Sequence, residues 1–127
     1  MKKSVFRNVA ASVALLAVAF CFMAFEMGWV VPAADAAVKN PVKSSPTSIA
    51  AGKDLYVKTC KMCHGDKGTG VGKMADPANF TSKEFKAETD GAIYYKINTG
   101  FGKMPAYKAK IKTDNDRWNL VNYLRTL

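Results

Sequence analysis

Thr59-Cys60-Lys61-Met62-Cys63-His64-Gly65 places two thiols three positions apart, with an imidazole directly behind the second. That histidine is the single one in the chain. A helical turn repeats every ~3.6 residues, so all three side chains fall within little more than one turn. The stretch therefore asks for a chemistry that uses two sulfurs and a nitrogen at close quarters. What surrounds it decides which.

Working outward, Ser48 is the expected N-cap of a helix that runs through Leu55 and Tyr56 into the cysteine stretch. Ahead of it, residues 37–47 are rich in Pro, Ser and Lys and read as a flexible tether. Behind it, Gly65 to Gly72 holds four glycines in eight residues and is a loop. A phosphate-binding loop would need a strand before it and Lys-Ser or Lys-Thr opening a helix after it, and neither is visible. Thr81-Ser82-Lys83-Glu84 has capping-box spacing and predicts a short helix from Thr81 through Phe85. Asp90–Thr99 predicts a second, with Ile93 and Ile97 a turn apart and Gly100 as its stop. Phe101–Lys112 is a loop broken by Gly102 and Pro105. Thr113 and Asp116 open the last helix, in which Leu120, Leu124 and Leu127 recur at i, i+4, i+7. No segment alternates with period two. The expectation is an all-α domain over residues 48–127, with three main helices and loops long for so small a core. Loops of that length wrap something, and a bulky apolar cofactor would supply the missing core.

The N-terminus has a different character. Lys2, Lys3 and Arg7 precede an uncharged run from Val9 to Phe25, the layout of a secretory signal. Ala34-Asp35-Ala36 offers a small-x-small cleavage pattern, so residues 1–36 are expected to leave and Ala37 to begin the mature chain. The alternative is a retained membrane anchor, although seventeen residues make only ~25 Å of helix against a ~30 Å hydrocarbon core. Cys21 lies inside the run and reads as a passive apolar residue. Either way the domain is exported, and a periplasmic location is expected. The whole chain carries +9, and losing three basic and two acidic residues leaves +8. That field favours acidic protein partners or anionic membrane surfaces over nucleic acid, which exported basic proteins rarely meet.

Three readings of the cysteine stretch can now be weighed. A thioredoxin-like dithiol needs βαβ surroundings, and they are absent. A closed zinc site wants four nitrogen or sulfur ligands, and no second cysteine pair or second histidine exists. CxxCH is also the attachment signature of c-type haem, in which Cys60 and Cys63 form thioethers and His64 binds the iron as proximal ligand. Export fits this third reading. The remaining axial position cannot take a second histidine, which leaves methionine, lysine or nothing. Met62 is inside the attachment turn, and Met74 is only ten residues past His64. Met104 is forty residues on, in Gly102-Lys103-Met104-Pro105-Ala106-Tyr107, with room to approach from the opposite face. A flexible apolar filler of the core is the competing role for it.

Residues 48–127 resemble the class I c-type cytochromes, in particular the small single-haem carriers of bacteria. The likeness rests on Gly52 and Tyr56, CKMCHG, GKMPAY and the terminal WNLVNYL. It implies a cytochrome c fold wrapped round one covalent haem c. It also implies Met104 as distal iron ligand and packing of Gly52 and Tyr56 against Leu120 and Tyr123. Members of the family use a proline carbonyl to accept the proximal histidine N–H, and Pro77 is the nearest candidate here. The implied function is one-electron transfer between redox partner proteins, without catalysis and without a small-molecule substrate. Ile93, Ile97, Phe101 and Trp118 are candidates to line the haem pocket. Lys61, Lys103 and Lys108 are candidates to ring its exposed edge.

Overall fold

The computed structural model describes residues 28–70 and 78–127. The apolar run with Cys21, and Met74 and Pro77, lie outside the described residues. Contacts divide the chain at Val30/Val31, and Val31–Leu127 form the unit that carries the cysteine stretch. Its helices are α1 (Ala33–Ala36), α2 (Pro46–Thr59), α3 (Lys61–His64), α4 (Lys83–Ala87), α5 (Asp90–Thr99) and α6 (Asp114–Leu124). Among the described residues the only β feature is an isolated bridge between Phe101 and Met104, so the fold is all-α as expected. No described helix is long and apolar enough to cross a membrane.

The helix starts follow from capping chemistry, with two corrections. α2 begins before Ser48: Ser45 is the N-cap, and Ser48 reciprocates from the third helical position to complete a capping box. Pro46 occupies the first helical position, where a missing N–H costs nothing and a fixed φ helps. α4, in contrast, starts later than expected, at Lys83 and not Thr81, because Asn79 Oδ1 takes both the N–H and the hydroxyl of Thr81. Ser82 then caps Phe85 instead. α5 spans the expected Asp90–Thr99, with Thr89 as its cap, and α6 is capped as expected by Thr113.

α2 and α6 cross in close contact. A Cβ on Gly52 would overlap the Asn119 carbonyl and reach Tyr123 Cβ at 2.8 Å, so only glycine lets the two backbones meet. Around that crossing Tyr56, Leu120 and Val121 are almost fully buried. Tyr56 and Tyr123 rings lie 5.2 Å apart, and burial pushes the Tyr56 hydroxyl up to about 12. Ile93, Ile97 and Trp118 join the same core, and Trp118 stacks on Tyr94 at 3.8 Å.

The segment before α2 is not a free tether. Asn40 Nδ2 donates to the Trp118 carbonyl (3.3 Å) and to Asn122 Oδ1 (2.9 Å). Asn122 Nδ2 returns a bond to the Val42 carbonyl, and Val42 packs on the core. The Asn40 side chain and the Val42 carbonyl pair with α6, within a stretch whose composition alone reads as solvated linker.

Gly52→Ala should force α2 and α6 apart and cost ~1–3 kcal/mol, the usual penalty of overpacking. Chemical denaturation measures it, and a loss no larger than that of an exposed Gly→Ala in the same helix would contradict the crossing.

Candidate haem-attachment site

The cysteine stretch is where α2 ends and turns. Cys60 closes α2, its carbonyl accepts from the N–H groups of Cys63 (3.0 Å) and His64 (2.9 Å), and α3 carries Cys63 and His64 forward. This single turn brings the two unbridged thiols and the imidazole to one place. Burial pushes the Cys60 thiol up, and the neighbouring Thr59 hydroxyl at 3.3 Å only partly opposes that. Both sulfurs are half-buried, and Cys60 packs against the core.

His64 is buried and its orientation is fixed on two sides. A carbonyl can only accept, so the 3.3 Å approach of Ala78 O puts the proton on Nδ1 and leaves the Nε2 lone pair to bind a metal. Burial lowers its pKa and so favours the neutral imidazole that a ligand must be. The ring lies on Phe80, with centroids 4.5 Å apart and planes 24° from parallel. Phe80 is held in turn by its N–H on the Gly68 carbonyl (2.7 Å). Tyr56 donates its hydroxyl to the Gly65 carbonyl (2.6 Å), which pins the loop as it leaves His64. The acceptor for the histidine is thus Ala78, one residue beyond the expected Pro77. Phe80 escaped sequence reading, since a lone aromatic after an Asn-containing loop looks like any core residue.

Met104 sits in a different loop. Phe101 and Met104 exchange both backbone hydrogen bonds at 2.9 Å, a tight turn that needs Gly102 at φ 56°. Gly100, at φ 64°, has no room for a Cβ, which would stand 2.5 Å from both Met104 O and Ala106 N. Tyr107 ties this loop to the cysteines: its N–H donates to the Ile97 carbonyl (2.9 Å), and its hydroxyl donates to the Thr59 carbonyl (2.9 Å). Burial raises the Tyr107 pKa, and the nearby Cys60 and Cys63 add to the shift. Of the expected pocket residues, Ile93, Ile97 and Trp118 are buried, whereas Phe101 is 49% exposed at the turn.

These residues fit haem better than a bare metal. Among the described residues no group of three His, Cys, Asp or Glu is placed to hold a metal ion, whereas a closed zinc site takes four ligands. What the turn does offer is one oriented imidazole with a free nitrogen and two unbridged thiols beside it. An all-α fold of this topology carrying CxxCH defines a c-type cytochrome.

The chain belongs to the family described as cytochrome c oxidase, cbb3-type, subunit III, whose model matches residues 47–124. It is 32% identical over 85 residues to a thiosulfate dehydrogenase of Stutzerimonas stutzeri (strain A1501), a match covering 61% of this chain and 27% of that protein. It is also similar to a chain of a reducing HAO-like protein complex from Kuenenia stuttgartiensis, with a TM-score of 0.61 and 29% identity. That match covers 81% of this chain, so it extends ahead of Ser48, and 53% of the other. The chain thus spans about a quarter of the one relative and about half of the other. Residues 47–124 are thus a haem electron-transfer domain, with haem c and iron as its cofactor.

Replacing Cys60 and Cys63 together by Ala should abolish covalent haem and leave most of the chain unfolded. Haem retained on the double variant after acid-acetone extraction would show that these thiols are not the attachment points.

Proposed function

We propose that the protein is an exported carrier of single electrons. It holds one haem through thioethers to Cys60 and Cys63, with His64 and Met104 as the axial ligands. The observation that carries this reading is the Tyr107–Thr59 hydrogen bond, which ties the loop bearing Met104 to the turn bearing the cysteines. The bound group supplies an Fe(II)/Fe(III) couple, and the chain's residues set its surroundings. Nδ1 of His64, held by Ala78, keeps the ring facing one way and raises the basicity of Nε2. The Gly100 and Gly102 turn supports Met104 on a short, rigid loop. Thioether ligation in an apolar pocket favours the reduced state and raises the potential. With His64 and Met104 both holding the iron, the chain would leave no position on it for a substrate.

Such a carrier works between protein partners in a respiratory or similar chain in the periplasm. Its positive charge favours partners with an acidic docking face. Of the three lysines expected near the haem edge, Lys61 pairs with Asp66 at 2.6 Å, which offsets part of its charge. Lys103 and Lys108 flank Met104 and are the stronger candidates for steering. The thiosulfate dehydrogenase relative supports a narrower version, in which the donor or acceptor is an oxidoreductase subunit. A haem sensor or peroxidase-like enzyme, which needs an open sixth position, is the competing class.

Met104→Ala tests the ligand set. The variant should lose the long-wavelength charge-transfer band of a Met–Fe(III) bond, bind carbon monoxide when reduced, and show a lower potential. Met74→Ala should change none of these, and the opposite pattern would reassign the ligand.

Lys103→Glu and Lys108→Glu should slow electron transfer to an acidic partner at low salt, with the potential unchanged, while Lys39→Glu does much less. Stopped-flow rates at several ionic strengths measure this, and a salt-independent rate would remove the docking face.

A further inference from the structure

The segment from Ala33 to Ser45 makes contacts that a leader or a tether has no reason to make. Thr89, the N-cap of α5, donates its hydroxyl to the Ala36 carbonyl at 2.6 Å while accepting from Ala92 N. Gly91, the second residue of the same helix, faces the backbone of this segment directly. A Cβ there would overlap the Asp35 carbonyl and stand 2.6 Å from Val38 O and 2.9 Å from Ala36 O. The partners it would strike are backbone atoms, which cannot swing away as a side-chain tip can. α1 itself is closed by Ala36 N–H on Pro32 O and Ala37 N–H on Ala33 O, both 3.0 Å. Farther on, Asn40 and Asn122 fasten the segment to α6 through three hydrogen bonds.

The alanines of Ala33-Ala34-Asp35-Ala36 thus have a second explanation. The same small residues that look like a cleavage pattern let the α1 backbone lie against a glycine of α5. A cut between Ala36 and Ala37 would remove the acceptor of Thr89 and the Ala33 carbonyl. It would also leave a charged ammonium where a neutral peptide group now packs beside Gly91.

We propose that Ala33–Ser45 is a permanent strap of the haem domain, docked on Thr89 and Gly91, and that the exported chain is not cut at Ala36–Ala37. The strap bridges the start of α5, whose far end feeds the Met104 loop, and α6, which crosses α2. It therefore ties the start of α5 to α6.

Gly91→Ala in the full-length haem-loaded protein gives a test in which the two readings predict opposite signs. In a helix free of neighbours alanine is the better residue, so without the strap the variant should melt higher. With the strap docked, the added methyl must displace it. The variant should then melt lower, and amide hydrogen exchange over residues 36–42 should quicken about tenfold or more. Covalent haem and the visible spectrum should not change. A higher melting temperature with unchanged exchange over 36–42 would overturn the strap.

The processing arm rests on the export reading above and is separately decided by intact mass of the wild-type protein. A first residue at or before Ala33 in the exported, haem-bearing fraction supports the proposal. A first residue after Ala33 overturns it. Protein confined to the cytoplasm and lacking covalent haem would overturn export instead, and leave the Gly91 result to judge the strap.

Discussion

The contact between Gly52 on α2 and the Asn119 backbone on α6 is the constraint from which the rest of the domain is built. α2 ends at Cys60, so the angle at which it crosses α6 fixes where both thiols and His64 emerge. Tyr56, one turn beyond Gly52, packs on Tyr123 and reaches with its hydroxyl to the Gly65 carbonyl. Two positions of one helix thus hold the last helix on one side and the loop that leaves His64 on the other. A side chain at position 52 would alter both at once, because the elements share a single rigid helix.

The loop side of the site is organised by polar groups instead. Arg117 is among the most buried residues of the chain, at 2% exposure. Its guanidinium donates to the carbonyls of Lys108 and Ile111, to the Tyr94 hydroxyl and to Asp114, so it stitches the end of the Met104 loop to α5 and α6. A buried cation is tolerable only when most of its donors are met, and here two loop carbonyls and two side-chain oxygens meet both terminal nitrogens, with Nε left unpaired. Truncating such a residue would leave loop carbonyls without donors, which makes it harder to replace than its surface-like composition suggests. Tyr107 plays the matching part at the loop's near end, toward Thr59.

The helices and the cysteine turn were legible because their signals are local. Thr113 caps the helix it was expected to open, α5 spans the expected Asp90–Thr99, and CxxCH needs only one turn of α-helix to present its three groups. Capping boxes are less sharp where two hydroxyl residues compete, which is why Ser45 and Ser82 displaced Ser48 and Thr81. What lay beyond reach were the long-range partners. Nothing in the sequence marks Ala78 instead of Pro77 as the carbonyl that meets His64. Nor does anything mark Phe80 as the ring beneath it.

α6 shows how burial can exceed what an apolar repeat expresses. Its leucines at i, i+4, i+7 describe one apolar face, the pattern of a helix with solvent behind it. Yet every residue from Arg117 to Leu124 is buried, including Asn119 and Asn122. A helix enclosed on several sides would usually read as apolar all round. This one stays polar on its outer side because the element covering it is itself polar: Asn40 and the Val42 carbonyl meet Asn122, and Ser48 Oγ accepts from it as well. Polar residues on a helix and a polar segment upstream each read as solvated when taken alone. Taken together they are complementary, and pairing across about eighty residues of sequence hides what a periodicity of 3.6 cannot express.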